Sequence, residues 1–327
     1  MDLLRETDID PAPLAGKRVA IIGFGNQGRA QALNLKDSGI DVIIGLRPGS
    51  ASAAEIERAG IGHLPPIEAS AGADLIMLLA PDETLAEIYA ELEPHIRHGA
   101  ALGFSHGLAI RFGLIAPRAD LDVIMVAPKG PGTALRSLYQ DGRGMVALWA
   151  VAQDASGGAR DLALAYGAAI GCARAGLIAS SFSEECDADL FNEAAVVWGA
   201  VPEILIAGFD TLVAGGISPE VAYMECVGEL KLLAELVEAR GIAGMREAIS
   251  NTAELGATLG GPQIVDGGLR ARMAEILASI RSGAFAEQLA REYAGDYPKL
   301  RAARENARHL KVEQAAAAIA ALGDPKA

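Results

Sequence analysis

Arg18-Val-Ala-Ile-Ile-Gly23-Phe-Gly25-Asn-Gln-Gly28 is the stretch that decides the fold. The run Arg18–Ile22 is apolar and β-branched after its first residue, and reads as a buried strand. It runs into glycines at the spacing G-x-G-x-x-G, and Gln27–Ser38 reads as the helix that follows. Glycines there permit a tight turn and let a pyrophosphate approach the backbone at the helix N-terminus. The motif alone is weak. A strand before it, a helix after it and a second strand at Asp41–Leu46 supply the context it requires. Gly23, Phe24, Gly25, Asn26, Gln27 and Gly28 are the expected dinucleotide cradle, against the alternative of a glycine turn without ligand.

Outward from this point, short apolar runs alternate with helical ones. Asp74–Ala80, Ala100–Phe104, Val123–Ala127 and Val146–Ala152 read as further strands. Ala51–Ala59 and Ala155–Ile170 read as helices. Continuous apolar strands suit a buried parallel sheet, and the alternation implies a doubly wound α/β fold of Rossmann type. After about Ser180 the strand signal fades. Asp187–Leu212, Pro219–Ala239, Gly244–Ser250, Leu269–Gly283, Ala286–Arg291 and Val312–Leu322 read as helices. The expected division is therefore an α/β nucleotide-binding domain over 1–181 and an all-α domain over 182–327.

Composition narrows the function classes. With 327 residues, 51% hydrophobic, the chain can bury a large core in two domains. A net charge of −14 argues against nucleic acid or an anionic membrane as partner. No apolar run reads as a membrane span, and the acidic N-terminal stretch lacks a signal-peptide core. Cys172, Cys186 and Cys226 are too scattered for a disulfide framework or a zinc site, so a cytoplasmic, reducing location is expected.

The end of the second strand selects the cofactor. NAD sites place an acid there for the ribose hydroxyls. Here Gly45-Leu-Arg47-Pro-Gly-Ser50-Ala-Ser52 has no acid, but a guanidinium and two hydroxyls suited to a 2′-phosphate. The expectation is NADPH, through Arg47, Ser50 and Ser52; the alternative is a polar loop with Ser52 as helix cap. Asp82, after the third strand of this series, sits where a nicotinamide-side loop belongs or acts as an N-cap.

His106, between a strand and Gly107, is placed for proton transfer or substrate orientation. Lys129 lies in the stiff frame Ala127-Pro-Lys-Gly-Pro-Gly132, where it can offset negative charge, with Gly132 on the cofactor side. Asp189/Glu193 and Glu225/Glu229 are spaced i, i+4 in apolar helical sequence. Carboxylates turned towards an apolar surface need a cation, and four of them suit Mg²⁺; the alternative is a solvated helix face, where i, i+4 acids are common in a chain with 42 acids.

Together these segments resemble the short-chain class I ketol-acid reductoisomerases. The resemblance rests on VAIIGFGNQG, GLRPGSAS, LLAPDE, SHG, DVIMVAPKGPG, QDASG, DLFNE, AYMECVGELKLL and ISNTAE, in family order across nearly the whole chain. It implies a knotted helical second domain and a homodimer with shared active sites, its further assembly left open. It implies two Mg²⁺ ions, with Asp189 and Glu193 from one subunit facing Glu225 and Glu229 from the other. Ser250 matches a contact to the substrate carboxylate, and His106 and Lys129 the cofactor-side wall; a carboxylate such as Glu229, or a metal-bound water, is the expected relay for the hydroxyl proton. The implied reaction is a Mg²⁺-dependent alkyl shift in a 2-hydroxy-2-acyl acid such as 2-acetolactate. NADPH reduction to a 2,3-dihydroxy acid follows, as in branched-chain amino acid synthesis. Asn192, Ala194, Trp198, Val227-Gly228 and Leu255 depart from the family pattern. They motivate two alternatives: an NADPH-dependent reductase of another 2-keto acid, such as ketopantoate, or a non-catalytic NADPH-binding oligomer.

Overall fold

The computed structural model describes residues 3–322. They fall into two compact units, Met1–Ala188 and Asp189–Ala327.

The first unit is built on a nine-stranded sheet. Its strands are β1 (Leu3–Leu4), β2 (Arg18–Ile22), β3 (Asp41–Gly45), β4 (Gly62–Leu64), β5 (Leu75–Leu78), β6 (Ala101–Phe104), β7 (Asp122–Pro128), β8 (Ala147–Gln153) and β9 (Leu177–Ala179). Their spatial order is β1-β9-β8-β7-β6-β5-β2-β3-β4. Helices α1 (Asn26–Asp37), α2 (Ala53–Arg58), α3 (Pro66–Ala71), α4 (Leu85–Leu92), α5 (Leu108–Arg111), α6 (Gly132–Gln140) and α7 (Ala159–Ala169) connect them. Every residue of β7 is buried, as a strand covered on both faces requires. One face packs Leu35 of α1, Leu135 of α6 and Tyr166 of α7; the other packs Ala69 of α3 with Leu85, Tyr89 and Leu92 of α4. The doubly wound architecture read from the sequence is present, and β2 pairs parallel with both β3 and β5. The chain thus reverses its winding at β2, which places the glycine turn at the crevice where such sheets bind ligands.

Two features of this sheet differ from the expected parallel arrangement. β7 and β8 are antiparallel, with Pro128 opposite Ala147, and β1 runs antiparallel to β9. A continuous apolar run satisfies a buried strand in either direction, so composition could not reveal it. The antiparallel ladder continues past β7, where Lys129 N–H donates to the Val146 carbonyl at 2.9 Å. The lysine loop is thereby tied to the start of the neighbouring strand.

The second unit is helical throughout its described residues. α8 (Phe182–Ala195) leads into it, followed by α9 (Ala200–Ala214) and α10 (Pro219–Tyr223). Then come α11 (Leu230–Ala248), α12 (Asn251–Ile264), α13 (Gly267–Arg281), α14 (Ala284–Ala294), α15 (Pro298–Arg308) and α16 (Lys311–Leu322). A small core of Phe209, Ala222, Val312 and Ala315 joins α9, α10 and α16.

The single helix expected over Asp187–Leu212 is two helices, broken at Gly199, where a Cβ would lie 2.0 Å from the Ala194 carbonyl oxygen. The stretch Phe182–Ala214 is also long and apolar enough, by length and composition, to cross a membrane, which corrects the expectation that no run was. Five of its seven acids fall between Glu184 and Glu193, and the remainder carries only Glu203 and Asp210. The helix expected over Pro219–Ala239 is interrupted by a π-turn over Met224–Gly228. Glu225 therefore lies in the π-turn and Glu229 just after it, not one turn apart on a regular α-helix. π-turns inside helices frequently mark functional sites.

Candidate active site

The glycine turn has three distinct requirements. Gly23 has φ +103°, and a Cβ there would lie 2.8 Å from the Ala80 nitrogen. At Gly28 a Cβ would lie 2.3 Å from the Gly23 oxygen. These two glycines serve the fold. Gly25 is different: its φ is −80° and a Cβ would meet nothing within 4 Å. Packing does not demand glycine at this exposed N-cap, so the bare backbone is left for something that approaches the helix N-terminus. That observation fits a dinucleotide pyrophosphate.

Around this turn, Asn26 and Gly132 are joined by a hydrogen bond from the Gly132 N–H to the Asn26 side chain. A Cβ on Gly132 would strike the Asn26 carbonyl oxygen, so α6 can start against the cofactor loop only with glycine there. Phe24 packs partly buried against the core. Arg47 is exposed and Ser50 and Ser52 are half-buried after β3. Ser52 stands at the N-cap position of α2 without a capping side-chain bond, so capping does not account for its hydroxyl. Asp82 opens a 3₁₀ turn after Pro81 and is not its N-cap.

The centre of the site is a residue the sequence reading passed over. Glu185, on α8, has a side chain only 1% exposed. Its Oε2 accepts from the Gly107 N–H at 2.8 Å and lies 3.0 Å from His106 Nδ1. Its Oε1 accepts from Lys129 Nζ at 2.8 Å. One buried carboxylate thus holds the loop after β6 and the loop after β7 together. Gly107 makes this approach possible, since a Cβ there would lie 2.1 Å from the Phe182 oxygen at the start of α8. A signal existed in the sequence: Glu185, Asp189 and Glu193 repeat at i, i+4, i+8 along one helix face.

Electrostatics fit this geometry. Burial disfavours the charged form of His106. Hydrogen bonds to Cys186 and Glu185, with the charges of Glu185 and Asp82, outweigh it and raise the pKa. Burial likewise opposes ionisation of Glu185, but the bond to His106 and the charges of His106 and Lys129 hold its pKa below the usual value. The cluster is an imidazolium and an ammonium sharing one carboxylate. It can donate protons to an oxyanion and steady an acidic substrate.

The acid pairs occupy helical positions of contrasting exposure. Asp189 is half-buried and Glu193 exposed on α8; Glu225 and Glu229 are exposed at the π-turn. These are hard oxygen donors of the type Mg²⁺ takes. Ser250 is the N-cap of α12, and its hydroxyl oxygen accepts from Ala253 N–H at 3.2 Å. That bond uses an acceptor lone pair and leaves the hydroxyl proton to be donated.

A doubly wound sheet, a nucleotide turn at its switch point and a proton-rich cluster on the neighbouring strand ends define a nicotinamide-dependent oxidoreductase. Comparison with known proteins narrows this class. Residues 13–176 match the family model for the acetohydroxy acid isomeroreductase NADPH-binding domain. Residues 182–323 match the ketol-acid reductoisomerase C-terminal domain. The chain belongs to the ketol-acid reductoisomerase family. A solved NADH-preferring ketol-acid reductoisomerase from an uncultured archaeon is 41% identical, with a TM-score of 0.95 over 98% of this chain and 99% of that one. More distant structures share only the fold. A semialdehyde dehydrogenase NAD-binding protein from Cupriavidus necator is 19% identical, with a TM-score of 0.59 over 81% of this chain and 99% of its own. A Plasmodium falciparum pyrroline carboxylate reductase is 12% identical, with a TM-score of 0.54 over 84% and 98%.

Proposed function

We propose that this ketol-acid reductoisomerase uses NADPH and Mg²⁺, and works as a homodimer in which each active site draws acids from both chains. Its substrate class is 2-hydroxy-2-acyl acids such as 2-acetolactate, and its setting is cytoplasmic branched-chain amino acid synthesis. The observation that carries the reading is the Glu185 clamp on His106, Gly107 and Lys129, on the helix that bears Asp189 and Glu193.

Two bound Mg²⁺ ions would supply charge stabilisation for the alkyl shift, and NADPH would supply the hydride. Asp189, Glu193, Glu225 and Glu229 are the residues to hold the metal. In this reading Glu229 is also the proton relay, and Ser250 offers its hydroxyl proton to the substrate carboxylate. His106, kept cationic by Glu185, and Lys129, held by the same carboxylate, orient the reacting oxygens, and His106 moves protons to them.

The preference for NADPH rests on the loop after β3, which has Arg47, Ser50 and Ser52 and no acid. The similar archaeal enzyme prefers NADH. The homodimer is supported by the helical unit. Neither α11 nor α12 buries a single residue, and Leu232, Leu255, Leu259 and Ile264 are 58–65% exposed. Apolar helices left open in this way call for a partner surface.

The test is turnover of 2-acetolactate by purified protein with NADPH or NADH across a range of Mg²⁺. Metal-dependent oxidation of NADPH in preference to NADH is expected. No oxidation of either nucleotide at any Mg²⁺ concentration would sink the reading.

A further inference from the structure

Beneath the site lies a chain of buried side-chain hydrogen bonds that the reaction as described does not use. Gln31, on α1, is fully buried. Its Oε1 accepts from the Tyr166 hydroxyl of α7 at 2.7 Å. Its Nε2 donates to Gln27 Oε1 at 3.0 Å and to Ser105 Oγ at 2.9 Å. Gln27 Nε2 in turn donates to the Gly130 carbonyl at 2.9 Å. Gln27 Nε2 is held by the Gly130 carbonyl, so Gln27 Oε1 faces Gln31 and can only accept, which turns the Gln31 Nε2 towards it and leaves the Gln31 Oε1 to the fully buried Tyr166 hydroxyl. Both amide protons of Gln31 are then committed to Gln27 and Ser105, and Gln27 to Gly130.

The residues at the two ends of this chain matter. Ser105 precedes His106, and Gly130 follows Lys129. Gln27 belongs to the first turn of α1, directly after the glycine turn. From above, Glu185 pulls the His106 and Lys129 side chains together; from below, Gln31 and Gln27 pin the backbones that carry them. A buried polar network with every member satisfied rigidifies what it connects, and a single missing partner releases the rest.

Resting on the ketol-acid reductoisomerase reading, we propose that Gln31 is a positioning residue. Bonded to Tyr166 and acting through Gln27 and Ser105, it holds the His106 and Lys129 loops in register with the cofactor turn. Gln31 touches no reacting atom. Its effect is geometric, and a displacement on the order of 1 Å at a reacting centre costs about a hundredfold in rate.

The experiment uses full-length protein with NADPH, Mg²⁺ and 2-acetolactate, comparing wild type with Gln31→Leu, Tyr166→Phe, Ser105→Ala and Ser105→Thr. Wild-type turnover is measured first; its absence would overturn the proposed reaction, whereas the variant series bears on the buried chain. With an active wild type, kcat should fall about ten- to a hundredfold in Gln31→Leu and by a smaller factor in Tyr166→Phe. The Kd for NADPH, from fluorescence titration, should change by less than about threefold in both. Ser105→Thr should recover most of what Ser105→Ala loses, because it restores the hydroxyl that Gln31 engages. If Gln31→Leu does not fold, Tyr166→Phe and the Ser105 pair carry the test. The proposal is overturned by kcat within about twofold of wild type in the folded Gln31 or Tyr166 variant. It is overturned equally if NADPH affinity falls in step with kcat, since that marks a collapsed cofactor turn.

Discussion

Lys129 Nζ lies 2.8 Å from Glu185 Oε1, a contact that bridges 56 residues of sequence and joins the end of the β7 loop to α8. The same carboxylate holds His106 and the Gly107 amide. A neutral amide in its place would keep the shape and remove the charge that keeps two cations side by side. Glu185→Gln should lower kcat by about a hundred- to a thousandfold, within the span for a group that supports proton transfer. Steady-state turnover checks this, with thermal unfolding as control for the fold.

Removing the histidine tests the pH behaviour of the cluster. The raised pKa of His106 means its contribution to stability is complete below about pH 6.5 and is lost as pH rises towards about 11. The lowered pKa of Glu185 means its contribution is complete above its ordinary value of 4.5 and is lost as pH falls through the depressed one. The Tm gap between metal-free wild type and His106→Asn should therefore be widest between these limits and narrow steadily in alkali. A gap that grows above neutral pH contradicts the ion-pair assignment.

Nucleotide choice is predicted to sit in the loop after β3. Arg47→Ala removes a guanidinium that a 2′-phosphate would engage, at a cost of about 1.5–3 kcal/mol for a charge-assisted bond. The KM for NADPH should rise about tenfold or more, with the KM for NADH nearly unchanged. Parallel changes for both nucleotides would place Arg47 outside the phosphate site.

A shared metal site predicts complementation between dead variants. Asp189→Ala and Glu225→Ala should each be inactive alone. Mixed dimers made by co-expression should recover activity, because one of their two sites then has both acids intact. If the mixture stays as inactive as its parents, the two acid pairs do not meet across chains.

Trp198 departs from the family pattern, and in this chain it is 65% exposed beside Gly199, where α8 gives way to α9. Within one chain it fills no pocket, so Trp198→Ala should leave monomer unfolding nearly unaffected, within about 0.5 kcal/mol. A change in the monomer–dimer equilibrium, read by analytical ultracentrifugation, would assign the ring to the partner surface.

Much of this protein was legible before any coordinates. β2, the glycine turn and α1 follow from local rules: a β-branched run, glycines where backbone must approach backbone, then helix formers. His106 and Lys129 were found because each stands beside a glycine at a strand end, which is where open α/β sheets present their chemistry. The direction of β8 was not legible, because an apolar run fits a strand in either direction and its side-chain period of two is the same both ways. The π-turn at Met224–Gly228 was hidden for a related reason: the i, i+4 acids fit an unbroken helix equally well.

Sequence by itself determined the kinds of residue available, their local elements and the family order of the motifs. Which carboxylate meets which cation was decided by tertiary structure alone. Glu184 and Glu185 are neighbours of identical type, yet Glu184 is exposed, with its Oε2 accepting from the Ser180 hydroxyl, while Glu185 is enclosed between His106 and Lys129. Adjacent positions on a helix point about 100° apart, so the docking of α8 against Gly107 sends one acid outward and the other into the site. The charge pattern of the chain is local information; the counter-ion of a buried charge is a property of the packing.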